Sequence, residues 1–359
     1  MLRKISLAFL LCAAITICGA EKTTKYTAPA LQNPDSWSMV IVPDTQTYIQ
    51  KDVNHGILHL MFSWITANRE KLNIRQVLFT GDLVNNNDRA YPMPGHIELF
   101  GSEQWQAFSD LMKLLDGKVP YILATGNHDY DYSRRNDHDN TFLSRYFPIN
   151  RNPLTRQQLR GCYPDKKRET SLDNAYYEFT APAPDKRKFL VISLRFAPKD
   201  AHLAWAKKIV DDPQYADHFV ILLTHYYLFR DGSLKENEKG INGNYGKNIY
   251  EQLVKPSKNI RLVVSGHCAQ PDVWECGVQF NMSKNAAGKS VAQMMFNTQA
   301  IGGGYAGSGG DGWLRLLEFM PDGKTIRART FSPLFAISPS TRFLAWKTGS
   351  DNDFTFTLE

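Results

Sequence analysis

Five short apolar runs in this 359-residue chain are each followed at once by a residue able to hold a cation or move a proton: Asp44, Asp82, Asn127 with His128, His225, and His267. A carboxylate can bridge two cations, an amide oxygen adds a neutral ligand, and imidazoles suit transition metals better than Mg²⁺. One such residue after a strand is ordinarily a helix cap, a turn residue or a structural histidine. Five in succession point to a shared site, because the loops leaving the strand ends of an α/β sheet form one crevice.

The elements that must position them are legible in the hydrophobic pattern. Runs 38–42, 76–79, 121–124, 219–223 and 261–264 are rich in Val, Ile, Leu and Phe and too short for typical helices, so they read as buried strands. Between them, residues 55–71 carry Leu58, Met61, Phe62 and Ile65 at helical spacing. Residues 103–115 carry Trp105, Phe108, Leu111, Met112 and Leu115 likewise. The alternation predicts an α/β fold. The last third changes character, with strand-like 291–297, 313–320 and 325–331 and a Pro321-Asp322-Gly323 turn, which predicts a second, largely antiparallel sheet. A glycine cluster from Gly302 to Gly312 lacks the following helix and Lys of a P-loop and reads as a flexible loop or a substrate rim.

Lys and Arg total 42 against 36 Asp and Glu, and the +6 is spread without a basic block, so charge gives no sign of a nucleic-acid partner. Residues 1–20 have a basic start at Arg3 and Lys4, an apolar run and small residues before Glu21, the pattern of a secretory signal peptide. The run is shorter than the ~20 residues that span a bilayer, so no transmembrane span is expected in the mature chain, and the location expected is secreted or periplasmic. Residues 21–36 read as a lead-in and 37–359 as a single domain. Removal of the leader leaves Cys162, Cys268 and Cys276; Cys268 and Cys276 either close a short loop or, with Cys162, are buried thiols.

Pro43-Asp44-Thr45-Gln46, Gly81-Asp82, Gly126-Asn127-His128-Asp129, Thr224-His225 and Gly266-His267 occur in that order. Here the chain resembles the calcineurin-like metallophosphoesterases, whose series runs D-x-H, G-D, G-N-H-[DE], H, then G-H-x-H, over roughly Trp37 to Pro333. The P-D-T-Q form, with the stretches 310–315 and 330–333, is similar to a secreted branch of that superfamily. The resemblance implies two packed mixed β-sheets flanked by helices, a four-layer α/β/β/α sandwich. It further implies one or two divalent metal ions, with Asp82 bridging and Asn127, His225 and His267 completing one shell. That donor set favours Mn, Fe or Zn. At the other shell the pattern is broken: Gln46 and Ala269 stand where histidines are expected, leaving Asp44, Asp82 and either Gln46 or a neighbour such as Gln270.

The activity implied is hydrolysis of a phosphate mono- or diester by attack of a metal-bound hydroxide, with Asn127 holding phosphoryl oxygen, His128 protonating the leaving group and Asp129 orienting His128. Asn86, in the run from Asn85 to Asp88, is a candidate substrate contact. Tyr226, with Tyr227 and Tyr130, is a candidate pocket wall. The alternative is a non-catalytic metal- or ligand-binding protein on the same fold, for which Gln46 and Ala269 argue.

Overall fold

The strand β1 (Trp37–Val42) is buried along its whole length, which is why its sequence, WSMVIV, shows no polar alternation. It runs parallel to β2 (Ile74–Phe79), which in turn runs parallel to β3 (Tyr121–Leu123). The chain then builds a second sheet from β4 (Leu159–Cys162), β5 (Ala175–Thr180), β6 (Lys188–Ser193), β7 (Phe219–Leu223), β8 (Ile260–Ser265), β9 (Val278–Lys284) and β10 (Ser290–Phe296). It returns to the first sheet with β11 (Leu314–Phe319), β12 (Thr325–Phe331), β13 (Trp346–Lys347) and β14 (Asp353–Thr357). The first sheet has the order β13-β12-β11-β1-β2-β3, with β14 also paired to β12, and the second the order β4-β5-β6-β7-β8-β10-β9. The computed structural model describes residues 26–90, 98–131, 140–165, 171–238 and 240–359, and the expected signal peptide lies outside them. No helix among the described residues is long and apolar enough to cross a membrane.

Both sheets are mixed, as expected, but the last third does not make a sheet of its own. β10 joins the second sheet parallel to β8, whereas in the first sheet β11 adds antiparallel to β1 and β12 antiparallel to β11. The reason lies in burial. β10 is covered on both faces along all seven residues, and a strand so covered belongs inside a sheet between two neighbours.

The sheets pack through an aromatic layer. Trp37 of β1 stacks on Phe319 of β11 at 4.3 Å between centroids and meets Phe189 of β6 edge-on at 5.1 Å, while its indole N–H donates to Asp185 at 2.7 Å. Helices α1 (Gln46–Ile49), α2 (His55–Asn68) and α3 (Gly101–Met112) follow β1 and β2. α2 buries Leu58, Met61, Phe62 and Ile65, and α3 buries Trp105, Phe108 and Met112. Phe62 and Phe108 both contact Phe79 edge-on, so these helices cover the outer face of the first sheet. The helix Asp200–Val210 buries Leu203, Ala206 and Ile209 in a second cluster with Leu190, Ile192, Val220 and Leu222, covering the second sheet. The lead-in is tied to the first sheet by the buried Glu318 carboxylate, which accepts from the Gln32 and Asn33 amides and the Ser36 hydroxyl.

Register places the strand ends together. Val42 lies opposite Phe79 and Phe79 opposite Leu123, so the loops after β1, β2 and β3 leave one edge side by side. Leu223 lies opposite Val264, which does the same for the loops after β7 and β8. Because Trp37 joins both sheets at the end of β1 opposite this edge, Trp37→Ala is expected to destabilise the protein by about 3–5 kcal/mol, the usual cost of emptying a large aromatic site. A chemical denaturation midpoint equal to wild type would show that the aromatic layer does not hold the sheets together.

Candidate metal centre

Gly81 and Asp82 turn the chain sharply after β2, with φ of 107° and 49°. Asp82 is in the left-handed region, which costs a residue other than glycine of order 1–2 kcal/mol. The turn points its carboxylate inward: Oδ1 accepts the His128 backbone N–H at 2.9 Å, and Oδ2 lies 3.3 Å from His225 Nε2. His267, also left-handed at φ 72°, brings its Nδ1 to 3.0 Å from the same His225 Nε2. Ligand atoms of Asp82, His225 and His267 thus lie within 4.8 Å of one another. Separations of 3.0 and 3.3 Å match neighbouring corners of a coordination shell with bonds of about 2.1 Å.

The tautomer of His225 is set from outside the cluster. Its Nδ1–H donates to the Thr80 carbonyl at 2.9 Å, which leaves Nε2 to face Asp82 and His267. Burial works against charge on His225, but the Asp82 and Asp44 carboxylates outweigh it and raise its pKa to about 9. Burial and the His225 charge hold His267 well below the ordinary imidazole range. Asp82 is held low: burial disfavours its charge, and the His225 and His128 imidazoles more than offset that. The cluster therefore keeps one positive charge, a proton, where a divalent cation would bring its own, and cation binding must release it.

Among the buried oxygens without a partner in the described residues, two belong to the motif segments: Asn127 Oδ1, at the start of the short helix Asn127–Asp129, and Gln46 Oε1 in α1. What sets these two apart is their place in the motif segments that carry Asp44 and His128, where a cation fits as the missing partner. The donor set of carboxylate, two imidazoles and one amide oxygen can hold a transition metal.

The first-site side is different. Asp44 is fully buried; its Oδ1 accepts the Thr80 hydroxyl at 2.8 Å, and its Oδ2 accepts the His267 amide at 3.1 Å and the Asn297 side-chain amide at 2.8 Å. Burial, opposed by His225, raises its pKa to about 7. Ala269 offers no donor. Gln270 is exposed and takes the Cys276 thiol at 3.5 Å, so it does not fill the gap. Cys162, Cys268 and Cys276 are free thiols.

Three sequence readings need correction. Asp129 does not orient His128: it is fully buried, its oxygens accept the Val84 and Gly126 backbone N–H groups at 3.1 and 2.7 Å, and burial with the Asp82 charge raises its pKa to about 8. His128 Nδ1 instead donates to the Asn85 carbonyl at 2.7 Å. Asn86 is committed to structure, its side-chain amide donating to Glu98 at 3.0 Å. Tyr130 is a core residue bonded through its hydroxyl to Thr125. Tyr226 does line the centre, its ring 3.8 Å from that of His267, while Tyr227 is wholly buried.

The structure adds Thr80, Asn297 and Tyr305, and of the run from Asn85 to Asp88 it is Asn85 that meets His128 and Tyr305. Asn297 follows β10, parallel to β8, so the rule that found the other strand-end residues also applies to it. Tyr305, from the glycine cluster, accepts from Gln46 Nε2 at 3.2 Å and donates to Asn85 Oδ1 at 3.3 Å, which makes that cluster a rim of the site.

Residues 40–271 match the family model for calcineurin-like phosphoesterase. The uncharacterized protein YvnB of Bacillus subtilis (strain 168) is 26% identical over 305 residues, which are 83% of this chain and 20% of that protein, so the chain spans about one fifth of the length of this relative. A solved dimetal phosphatase from Danio rerio is similar at a TM-score of 0.47 and 11% identity over 89% of this chain and 98% of its own. GAP50, the anchor in the inner membrane complex of Plasmodium, gives 0.43 and 11% over 89% and 91%.

The close packing of the loops gives a test. A Cβ at Gly126 would collide with the Asp82 carboxylate, and one at Gly266 with that of Asp44. Gly126→Ala is expected to weaken Mn²⁺ binding by about 10- to 100-fold, the range for displaced ligand supports, and Asp82→Asn to abolish tight binding. Gln46→Ala should do less. Elemental analysis after chelation and reloading checks this, and equal metal content in wild type and Asp82→Asn would refute the assignment.

Proposed function

The chain belongs to the calcineurin-like phosphoesterase family, and from that premise we propose that it hydrolyses a phosphate mono- or diester outside the cytoplasm, with a bound divalent cation. The observation that carries the reading is the convergence of Asp82, His225 and His267 beside the unpartnered Asn127 oxygen, with His128 held at the same point. Secretion rests on residues 1–20 and is part of the proposal.

Asp82, Asn127, His225 and His267 would hold one cation; Asp44 and Gln46, sharing Asp82, would hold a second more weakly, with oxygen donors only. Mn, Fe or Zn suits the imidazole-containing shell. Such a cation polarises phosphoryl oxygens and lowers the pKa of bound water from about 15.7 towards about 7. The remaining work belongs to the chain. His128 is anchored at both ends, its backbone N–H on Asp82 Oδ1 and its Nδ1–H on the Asn85 carbonyl, so Nε2 is the atom left to carry an exchangeable proton. With both nitrogens protonated, His128 gives the Nε2 proton to the departing alkoxide and returns to the neutral ring with Nδ1 still bonded to Asn85. Asp129 acts one step back by fixing the Val84 and Gly126 amides, and so the two loops that carry Asn85 and Asn127.

The second reading, a non-catalytic binding protein, is favoured by one observation: Asp44 has three donors on its carboxylate, and Ala269 gives no fourth ligand. Catalysis distinguishes the two. His128→Ala should keep its metal and lose about 10²–10⁴-fold in turnover on alkyl phosphates, with a smaller loss on nitrophenyl phosphates, whose leaving group needs little protonation. A uniform loss across leaving groups at unchanged metal content would count against the acid role. No metal-dependent turnover by wild type on any phosphate ester would favour the binding protein.

A further inference from the structure

The glycine cluster that matched no phosphate-binding pattern presents one side chain to the centre. Gly302, Gly303 and Gly304 have φ of 66°, 79° and 49°, three successive left-handed residues that no run of side chain-bearing residues would adopt readily. They deliver Tyr305 directly after them. The loop they start is clamped to the segment that follows Gln46: Lys51 Nζ donates to the Tyr305 carbonyl at 2.6 Å, Asn54 to the Gly307 carbonyl at 3.1 Å and the Thr47 hydroxyl to the Gly309 carbonyl at 2.7 Å. On the other side the Gly312 amide donates to the Tyr48 hydroxyl at 2.9 Å. A glycine loop held at so many points is a rigid mount rather than a free flap.

The mounted hydroxyl sits between the two halves of the site. It accepts from Gln46, where the family pattern has an imidazole, and donates to Asn85, whose backbone carbonyl holds His128. Both are neutral amide contacts, and the residue as a whole is 44% exposed, so it stands at the rim of the site with its hydroxyl end turned in against Gln46 and Asn85. A phenol is protonated at neutral pH and offers one donor without adding charge. Its present acceptor, the Asn85 side-chain oxygen, is a weaker partner than an anionic phosphoryl oxygen, to which hydrogen bonds are shorter and stronger.

We propose that Tyr305 is a substrate-binding residue whose hydroxyl leaves Asn85 Oδ1 and donates to a phosphoryl oxygen, supplying a contact on the side where Gln46 and Ala269 weaken the metal shell. This rests on the phosphoesterase reading and adds to it a residue outside all five motifs. In the same exchange Gln46 Nε2 keeps its bond to the phenol oxygen, so the tyrosine is held while its proton is redirected.

The test is calorimetric titration of the Mn²⁺-loaded full chain with inorganic phosphate, comparing wild type, Tyr305→Phe and Tyr305→Ala, with manganese content and melting temperature measured in parallel. Loss of a hydrogen bond to a charged partner predicts roughly tenfold or greater weakening of phosphate binding in both variants, with manganese content unchanged. Phosphate affinity in Tyr305→Phe equal to wild type overturns the proposal, whether or not the alanine variant is weakened, because the ring alone then does the work. Loss of manganese from Tyr305→Phe also overturns it, placing the tyrosine behind Gln46 rather than on the substrate. Failure of wild type itself to bind phosphate is a different result: it removes the phosphoesterase reading, and the tyrosine contact with it.

Discussion

Asp82 carries a carboxylate that is almost wholly removed from water, on a backbone held in a conformation that disfavours side chains, and the surrounding architecture is what makes this tolerable. A buried unpaired charge is among the most unfavourable things a fold can contain. The protein meets that constraint with two imidazoles from the second sheet and a backbone N–H from the loop after β3. Those groups reach Asp82 only because the parallel strands of both sheets end at one edge in matched register. The aromatic layer around Trp37 fixes how the two sheets face each other, so the interior packing and the chemistry at the edge depend on the same alignment.

Glycine at tight points is the second consequence. Gly126 and Gly266 lie where any side chain would overlap the Asp82 or Asp44 carboxylate, so the motif glycines are space requirements as much as turn residues. Thr80 ties Asp44 to His225, its hydroxyl donating to the Asp44 carboxylate and its carbonyl accepting from His225 Nδ1–H. The departure at Gln46 and Ala269 is accompanied by its own adjustments. Asn297 donates to Asp44 from the loop that leaves β10, and Tyr305 holds the Gln46 amide. The first-site side is thus a built hydrogen-bonded arrangement, more polar and less imidazole-rich than the side formed by His225 and His267.

The parallel strands and the two long helices were legible in the sequence because burial on both faces, or on one helical stripe, leaves an uninterrupted pattern. The strand-end residues were legible for the same reason: each follows a run whose end is easy to see. What the sequence concealed depends on distance along the chain. Nothing local says that β10 leaves its neighbours β11 and β12 to pair with β8, or that Tyr305 reaches Gln46 across 259 positions. Asp129 was misread because adjacency in sequence suggested adjacency of side chains. In the short helix that follows Gly126 its carboxylate folds back onto backbone N–H groups, and the partner of His128 is a main-chain carbonyl, which no residue type announces.

The central claim is that Asp82, Asn127, His225 and His267 were brought together to hold one cation. Anomalous diffraction from crystals grown with Mn²⁺ tests it directly. The account predicts a peak at roughly 2.0–2.6 Å from an Asp82 carboxylate oxygen, Asn127 Oδ1, His225 Nε2 and His267 Nδ1 together. Crystals with no peak there, and with His225 and His267 still hydrogen-bonded to each other under saturating manganese, would contradict it.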